Sequence, residues 1–445
     1  MYKISEETKR GMHATPEELG KQLEGLPDDI TRCSRDCPFS VKIRILPSTL
    51  TPLELEAFNI EAWEAWYNDS QNLNPYVPVP GEKGEEKINI EIMVPQRDVE
   101  SLYVEIIRLA PDTIKSGQLL KRFQLAKSGE KKLKEGKGKV EVDTYLWEWD
   151  GYIDDVLDTK LLKDETTYIR AVGVIGSAFK DDAVQLLAQP FKECAEPVDW
   201  LDVLVNRNTK TVNVEWRVAF DDGHGKDRPA NIPTYEKLVD LAIEGINYHW
   251  NRPDKIEING SHYEVLIKPK ETKEKAAPSL TLQVETFYLF NPARSVNSSC
   301  VCGVIGAIIG NIGKGNSGFL GIDTTKVWYL QKFYQRKRPS ESKALAEANF
   351  RRTAAHEVGH PILASYAYKS TGVNNYSWVH KGSSKGLSGF YDTPDSNKEK
   401  GYEKYPDAEA DLMKYYNYYI PAELYRATEY DIKSLLWLSR IKFGG

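Results

Sequence analysis

Two histidines four residues apart enclose a glutamate in the segment His356-Glu357-Val358-Gly359-His360. On a helix, positions i and i+4 lie one turn apart on a single face, so both imidazoles can donate a nitrogen to the same metal ion. Imidazole is a common ligand of Zn²⁺, and a glutamate beside such a pair can accept a proton from zinc-bound water. The spacing therefore predicts a catalytic Zn²⁺ site with His356 and His360 as ligands and Glu357 as the general base.

A third protein ligand must come from outside this segment, because a catalytic zinc usually has three protein ligands and one open position. His380 is the first candidate, since it is an imidazole and the intervening chain is long enough to fold back. Glu409 is the rival, because a glutamate on a following helix is the arrangement of gluzincins. Asp407 and Asp411 are further candidates, and Asp411 could instead orient a ligand histidine. One of the tyrosines in residues 415–419 could stabilise the oxyanion of the reaction.

A long helix is predicted to position the two histidines, from about residue 340 to 368. Ser340 follows a proline and precedes a glutamate, which is typical of a helix start, and an apolar stripe with spacings of three and four follows it. Gly359 indicates close packing under the metal. Pro361 removes the amide that would bond the Glu357 carbonyl, so we expect a kink there or other partners for that carbonyl.

The chain of 445 residues is long enough for two or three domains. Residues 1–39 are polar and are predicted to be an N-terminal tether. Residues 40–197 contain short segments of period two, which predict an antiparallel β-sandwich of the immunoglobulin-like (Ig-like) type, with a binding or spacer role. Residues 198–445 combine strands with helices that begin at about residues 234, 340, 407 and 421, the layout of a zincin-like metallopeptidase domain. The predicted fold class is therefore α+β, a β-sandwich followed by a zincin-like α+β domain.

Charge and hydropathy exclude several classes of partner. The net charge of −6 disfavours nucleic acid or an acidic membrane surface as the main partner. No apolar run is long enough to span a bilayer as a helix, and the N-terminus lacks the apolar core of a secretory signal. We therefore expect a chain that is made in the cytoplasm without a signal peptide, and that reaches any other compartment by a different route.

Residues from about 200 to the end resemble the zinc metallopeptidase toxins of bacterial type VI secretion, which are often encoded with or fused to spike and Rhs-type proteins. The similarity lies in the H-E-x-x-H segment and in residues 376–383, 408–416 and 431–437, with Pro361 as a local departure. The resemblance implies an antibacterial effector that is secreted into a target cell, is neutralised by an immunity protein and acts in the periplasm.

Two classes of function are weighed on these residues. A third reading, a housekeeping cytosolic protease, is left open by the lack of a signal and is disfavoured by the β-sandwich and the resemblance. The main hypothesis is a hydrolase that cleaves peptide bonds, in protein or in the peptides of peptidoglycan, by Glu357-assisted attack of zinc-bound water. The alternative is a non-catalytic, zincin-like binding module that docks to a secretion spike or a surface partner. Glu357 favours the first, because a purely structural zinc site has no need of that acid.

Overall fold

The computed structural model describes residues 31–32, 41–94, 101–110, 113–125, 132–135, 142–175, 178–185, 198–222, 233–274, 277–285, 325–330, 343–372, 376–383, 398–403, 409–416 and 419–444. The strands are β1 (Thr31–Arg32), β2 (Lys42–Ile45), β3 (Ser48–Leu50), β4 (Glu56–Phe58), β5 (Pro80–Lys83), β6 (Ile88–Val94), β7 (Ser101–Ala110), β8 (Thr113–Leu125), β9 (Lys132–Glu135), β10 (Val142–Trp149), β11 (Val156–Asp158), β12 (Thr167–Ile175), β13 (Ala178–Gln185), β14 (Leu201–Asn206), β15 (Thr211–Asp222), β16 (Arg252–Ile258), β17 (Ser261–Thr272), β18 (Ser279–Glu285), β19 (Thr325–Leu330), β20 (Ala410–Asp411), β21 (Tyr425–Arg426) and β22 (Ile441–Phe443). The helices are α1 (Ile60–Asn68), α2 (Thr159–Lys163), α3 (Tyr235–Trp250), α4 (Lys343–Thr371) and α5 (Glu429–Trp437), with short 3-10 turns at Pro52–Glu54, Tyr376–His380 and Ala422–Leu424. The fold is mixed α+β. The predicted helix start at Ser340 and the predicted tether, apart from Thr31–Arg32, lie outside the described residues.

The chain divides into two compact units, and the first is a β unit. It comprises Met1–Leu50, Glu85–Pro190 and Ile441–Gly445. One sheet has the order β1-β13-β12-β7-β8 and another the order β2-β6-β10-β9, and β22 pairs with β3. All these strand pairs are antiparallel except β1 with β13. The period-two segments predicted as strands thus form β2, β6, β7 and β12.

The second unit carries the candidate site and comprises Thr51–Gly84 and Phe191–Arg440. The sequence boundary at residue 198 had placed Thr51–Gly84 in the first domain, whereas this segment clusters with the second unit. The main sheet runs β14-β15-β17-β16, and β18 and β19 extend it from the end of β15. β15 pairs in parallel with β17 and β18, and β18 in parallel with β19.

Helix α4 contacts both α3 and β19, the strand that extends the main sheet beyond β18. The two helices approach closely at Gly245 of α3, where a Cβ atom would overlap the backbone of Arg351. Trp250, the last residue of α3, donates its indole N–H to the Ala355 carbonyl of α4 at 3.0 Å. α4 is continuous through Pro361 and is followed by Gly372 in the left-handed region (φ 72°). No helix among the described residues is long and apolar enough to cross a membrane.

The helix predicted from about residue 407 is wrong for the described residues 409–416. They form the short strand β20, which pairs in parallel with β21, and a tight turn. The turn is closed by Asp411, whose Oδ1 accepts a hydrogen bond from the Met413 amide at 2.9 Å. The helix predicted from about residue 421 begins later, at Glu429, behind a capping box formed by Thr428 and Asp431.

Candidate metal centre

Three histidines meet at one point inside the second unit. His356 and His360 lie one turn apart on α4, and His380 ends the 3-10 turn Tyr376–His380. All three are buried, with 8%, 3% and 1% of their surfaces exposed. The Nε2 atom of His360 lies 3.2 Å from Nε2 of His356 and 3.4 Å from Nε2 of His380. One ligand atom from each of the three lies within 4.8 Å of the others.

The two separations from Nε2 of His360 match those expected around a tetrahedral metal ion. Zn–N bonds of about 2.0–2.1 Å at tetrahedral angles put neighbouring ligand nitrogens about 3.3–3.4 Å apart. The protonation states of His360 and His380 also suit a metal ligand. Burial, followed by the neighbouring histidine, holds the pKa of His360 and of His380 well below the ordinary value, so both imidazoles are neutral and can donate a lone pair.

His356 is oriented by a backbone carbonyl. Its Nδ1 atom lies 2.6 Å from the carbonyl oxygen of Leu412. Since a carbonyl can only accept, Nδ1 carries the proton and Nε2 is left with its lone pair towards the other histidines. Leu412 lies in the turn closed by Asp411. The next residue, Met413, packs against Gly359, where a Cβ atom would overlap the Met413 sulfur.

His380 is held by hydrogen bonds on either side of it. Trp378 donates its indole N–H to the Leu363 carbonyl of α4 at 3.2 Å, which fastens the 3-10 turn to the helix. The Ser383 hydroxyl donates to the His380 carbonyl at 2.6 Å and accepts from the Tyr415 amide at 2.8 Å. The segment that carries His380 is therefore tied both to α4 and to the turn that orients His356.

A buried ion cluster lies directly behind this segment. The Lys381 ammonium donates to Asp411 at 2.7 Å, to Asp431 at 2.8 Å and to the Thr428 hydroxyl at 3.1 Å. Burial lowers the pKa of Lys381, but the two carboxylates outweigh it and raise the pKa above the ordinary value. The lysine therefore stays charged at neutral pH.

Glu357 is buried beside the histidines, with its Oε2 atom 3.5 Å from Nε2 of His360. Together with His356, Arg352, Lys414 and Tyr415 it lines a narrow cleft of ≈ 10 Å³. That volume is about what a single water molecule requires. The ring of Tyr415 lies 4.3 Å from the ring of His380 and 5.4 Å from that of His356, measured between centroids. The arrangement places a carboxylate, a phenol ring and two cations beside the three imidazoles.

The structure brings His356, Glu357, His360 and His380 together, but it places Glu409 elsewhere. The Glu409 side chain is 48% exposed and accepts a hydrogen bond from Arg252 at 2.6 Å. Asp407 lies outside the described residues. Asp411 is bound to Lys381, and the carbonyl of the following residue, Leu412, orients His356.

Three contributors were missed in the sequence: the Leu412 carbonyl, Lys381 and Ser383. Every residue type has a backbone carbonyl, so nothing in the sequence could have indicated the role of the Leu412 carbonyl. Lys381 and Ser383 follow His380 within three residues, and that proximity was the one available signal.

Comparison of the chain with protein-family models, with curated proteins and with solved structures finds no match. The resemblance to type VI secretion toxins therefore stays a prediction, and the geometry of the histidine cluster carries the functional argument.

Proposed function

We propose that this chain is a zinc-dependent metallopeptidase whose Zn²⁺ is held by His356, His360 and His380. One observation carries the proposal: three buried imidazoles lie with Nε2 separations of 3.2 and 3.4 Å, next to a buried glutamate. Three protein nitrogens leave one position of a tetrahedral ion for water or substrate, which is the ligand number of a catalytic zinc. Of the four candidates for the third ligand, His380 is the one proposed.

The residues around the metal have distinct tasks in this reaction. Bound zinc supplies a Lewis acid that polarises water and the scissile carbonyl. Glu357 accepts the proton of the attacking water at its carboxylate and delivers it to the leaving amine. The phenol of Tyr415 donates a hydrogen bond to the oxygen on which negative charge develops. Its ring position against His380 and His356 supports that role.

The wider biological role rests on the sequence resemblance. In this proposal the second unit is a zincin-like catalytic domain and the first an Ig-like sandwich that serves as a binding or spacer module. The substrate is protein or the peptide of peptidoglycan. The chain is a secreted antibacterial effector that works in the periplasm of the target cell, with a spike protein and an immunity protein as partners.

A second candidate function is a zincin-like binding module without catalysis. The narrowness of the cleft favours it, because ≈ 10 Å³ beside His356 and Glu357 does not admit a peptide. In that case the metal stabilises the fold and the chain docks to a spike or surface partner. The buried Glu357 beside the ligands argues for the enzyme, since a structural site gains nothing from an additional buried acid.

The test combines metal analysis of the purified chain with hydrolysis of casein and of purified sacculi by wild type and Glu357→Gln. We expect one Zn²⁺ per chain in both proteins and a loss of about 10²–10⁴-fold in hydrolysis for Glu357→Gln. Glu347→Gln is the matched control, because Glu347 is on the same helix and pairs with Lys343 and Arg351. Absence of zinc refutes the metal site. Stoichiometric zinc without hydrolysis by wild type supports the binding module, and full activity in Glu357→Gln refutes the assigned base.

A further inference from the structure

The backbone reverses direction immediately after the third histidine. Lys381 has a φ of 50° and Gly382 a φ of 77°, both in the left-handed region. That region is uncommon for a residue with a Cβ atom, and a long side chain occupies it only when its surroundings hold it there. At Gly382 a Cβ atom would overlap the ring of Trp66, so glycine is required for space as well as for conformation.

The Lys381 side chain joins three separate segments. The first is its own segment, which carries His380. The second is the turn closed by Asp411, whose next residue supplies the carbonyl that orients His356. The third is the N-terminus of α5, where Thr428 and Asp431 form the capping box and both bind the ammonium group.

We propose that Lys381 is a positioning residue for the metal centre. Its ammonium group fixes the distance between the segment that carries His380 and the turn that orients His356. This inference rests on the proposed metal site. Lys381 touches neither the metal ligands' nitrogens nor the cleft beside Glu357, and it acts through the two segments it connects.

A role in folding alone does not account for this choice of residue. A buried lysine between two carboxylates loses hydration that its ion pairs only partly return, and apolar side chains of similar volume are often as stable. What the ion cluster provides is a defined geometry, since the ammonium group has fixed distances to Asp411, Asp431 and Thr428. Defined geometry is what a segment that carries one metal ligand and a turn that orients another require.

The first experiment measures Zn²⁺ affinity by competition with a chromophoric chelator, in wild type and Lys381→Met. We expect the affinity of Lys381→Met to be 10–100-fold weaker, the range found when groups that orient metal ligands are removed. The Co²⁺-substituted proteins provide a second reading, because their visible absorption reports coordination geometry. We expect the bands of the variant to change in position and intensity.

Two further variants separate positioning from stability. Arg217→Met is the matched control, since Arg217 also forms little-exposed ion pairs in the same unit, with Asp202 at 2.7 Å and Glu215 at 2.6 Å. It should lose stability without loss of zinc affinity. In Lys381→Met the buried carboxylates of Asp411 and Asp431 lose their cation, and the double variant Lys381→Met/Asp431→Asn removes one of these two charges. It should regain part of the stability while its zinc affinity stays low.

Zinc affinity of Lys381→Met within threefold of wild type overturns the inference, and so does recovery of affinity in the double variant. If Lys381→Met does not fold, Asp431→Asn alone takes its place under the same criterion, because it removes one anchor of the ammonium group. Failure of wild type to bind zinc overturns the proposed function and this inference together, whereas equal binding by wild type and variant overturns the inference alone.

Discussion

Gly359→Ala should destabilise the second unit and weaken its metal site, although alanine is the better helix former. A Cβ atom at residue 359 would overlap the Met413 sulfur and lie 2.9 Å from its Cε atom and 3.0 Å from Cζ2 of Trp250. Both neighbours are fully buried. Trp250 is fixed by its hydrogen bond to the Ala355 carbonyl, so Met413 must give way.

The magnitude follows from two opposing terms. Replacing glycine with alanine inside a helix stabilises it by about 1 kcal/mol. Overpacking a closed core costs about 1–3 kcal/mol, and contacts this short with one immobile partner belong in the upper half of that range. We therefore expect a net loss of about 1–2 kcal/mol in the free energy of unfolding. Moving Met413 also moves the Leu412 carbonyl that orients His356, so zinc affinity should fall by about tenfold.

Urea unfolding of the metal-free protein and chelator competition measure the two effects. A double-mutant cycle with Met413→Ala identifies the cause. Met413→Ala alone should cost about 2–5 kcal/mol through the cavity it leaves. In the double variant the new methyl group of residue 359 occupies part of that cavity, so the pair should be at least about 1 kcal/mol more stable than additivity predicts. Stabilisation by Gly359→Ala, or an additive cycle, would refute the packing argument.

Three further outcomes follow from the site and its surroundings. His380→Ala should lose stoichiometric zinc, while Glu409→Ala should retain it, because Arg252 holds the Glu409 carboxylate at 2.6 Å on the exposed side. Metal analysis of the two variants tests this, and the reverse pattern would assign Glu409 as the ligand. Tyr415→Phe should lower kcat by about 10²–10³-fold with little change in KM, as expected when an oxyanion donor is lost. An unchanged kcat in steady-state kinetics would exclude Tyr415 as the oxyanion donor. Burial lowers the pKa of His249 to about 4 in the folded chain, against about 6.5 when unfolded. The unfolded chain then binds the extra proton first, so stability falls as the pH drops from about 6.5 towards 4, by up to about 3 kcal/mol. Other buried histidines contribute to the slope in both proteins, so urea unfolding of the zinc-loaded protein should show a steeper slope in wild type than in His249→Asn. Equal slopes would contradict the assignment to His249.

The sequence predicted the parts of the site that depend on residue spacing along one element. A helix was expected from about residue 340 to 368, and the structure has α4 at Lys343–Thr371. Apolar residues at spacings of three and four predict such a helix from the local sequence alone, and the spacing of four placed His356 and His360 on one face. The strands of the first unit were predictable for the same reason, since a period of two is also a local property.

The region after residue 407 was mispredicted because its structure is decided by contacts between distant residues. An acidic and apolar run there reads as the start of a helix, but Asp411 closes a turn on Met413 and binds Lys381, thirty residues earlier. Once that run is a strand and turn, Glu409 is carried to the surface beside Arg252. Thr51–Gly84 joins the second unit for a similar reason, since pairing between remote segments has no periodic signature.

The tautomers of the three histidines give the strongest physical reason for a cation at their centre. His356 keeps its proton on Nδ1, which faces the Leu412 carbonyl, so its Nε2 presents a lone pair to His360. Neutral His360 has at most one proton on Nε2, yet that atom makes two short contacts, at 3.2 Å and 3.4 Å. If His360 donates to His356, it has no second proton for His380. If His380 donates to His360, the contact between His360 and His356 brings two lone pairs together. Adding a proton to His360 or His380 does not resolve the conflict, because burial opposes a charged imidazole at either of these two positions. A single metal ion would satisfy all three lone pairs at once, which supports the proposed metal centre over a hydrogen-bonded core cluster.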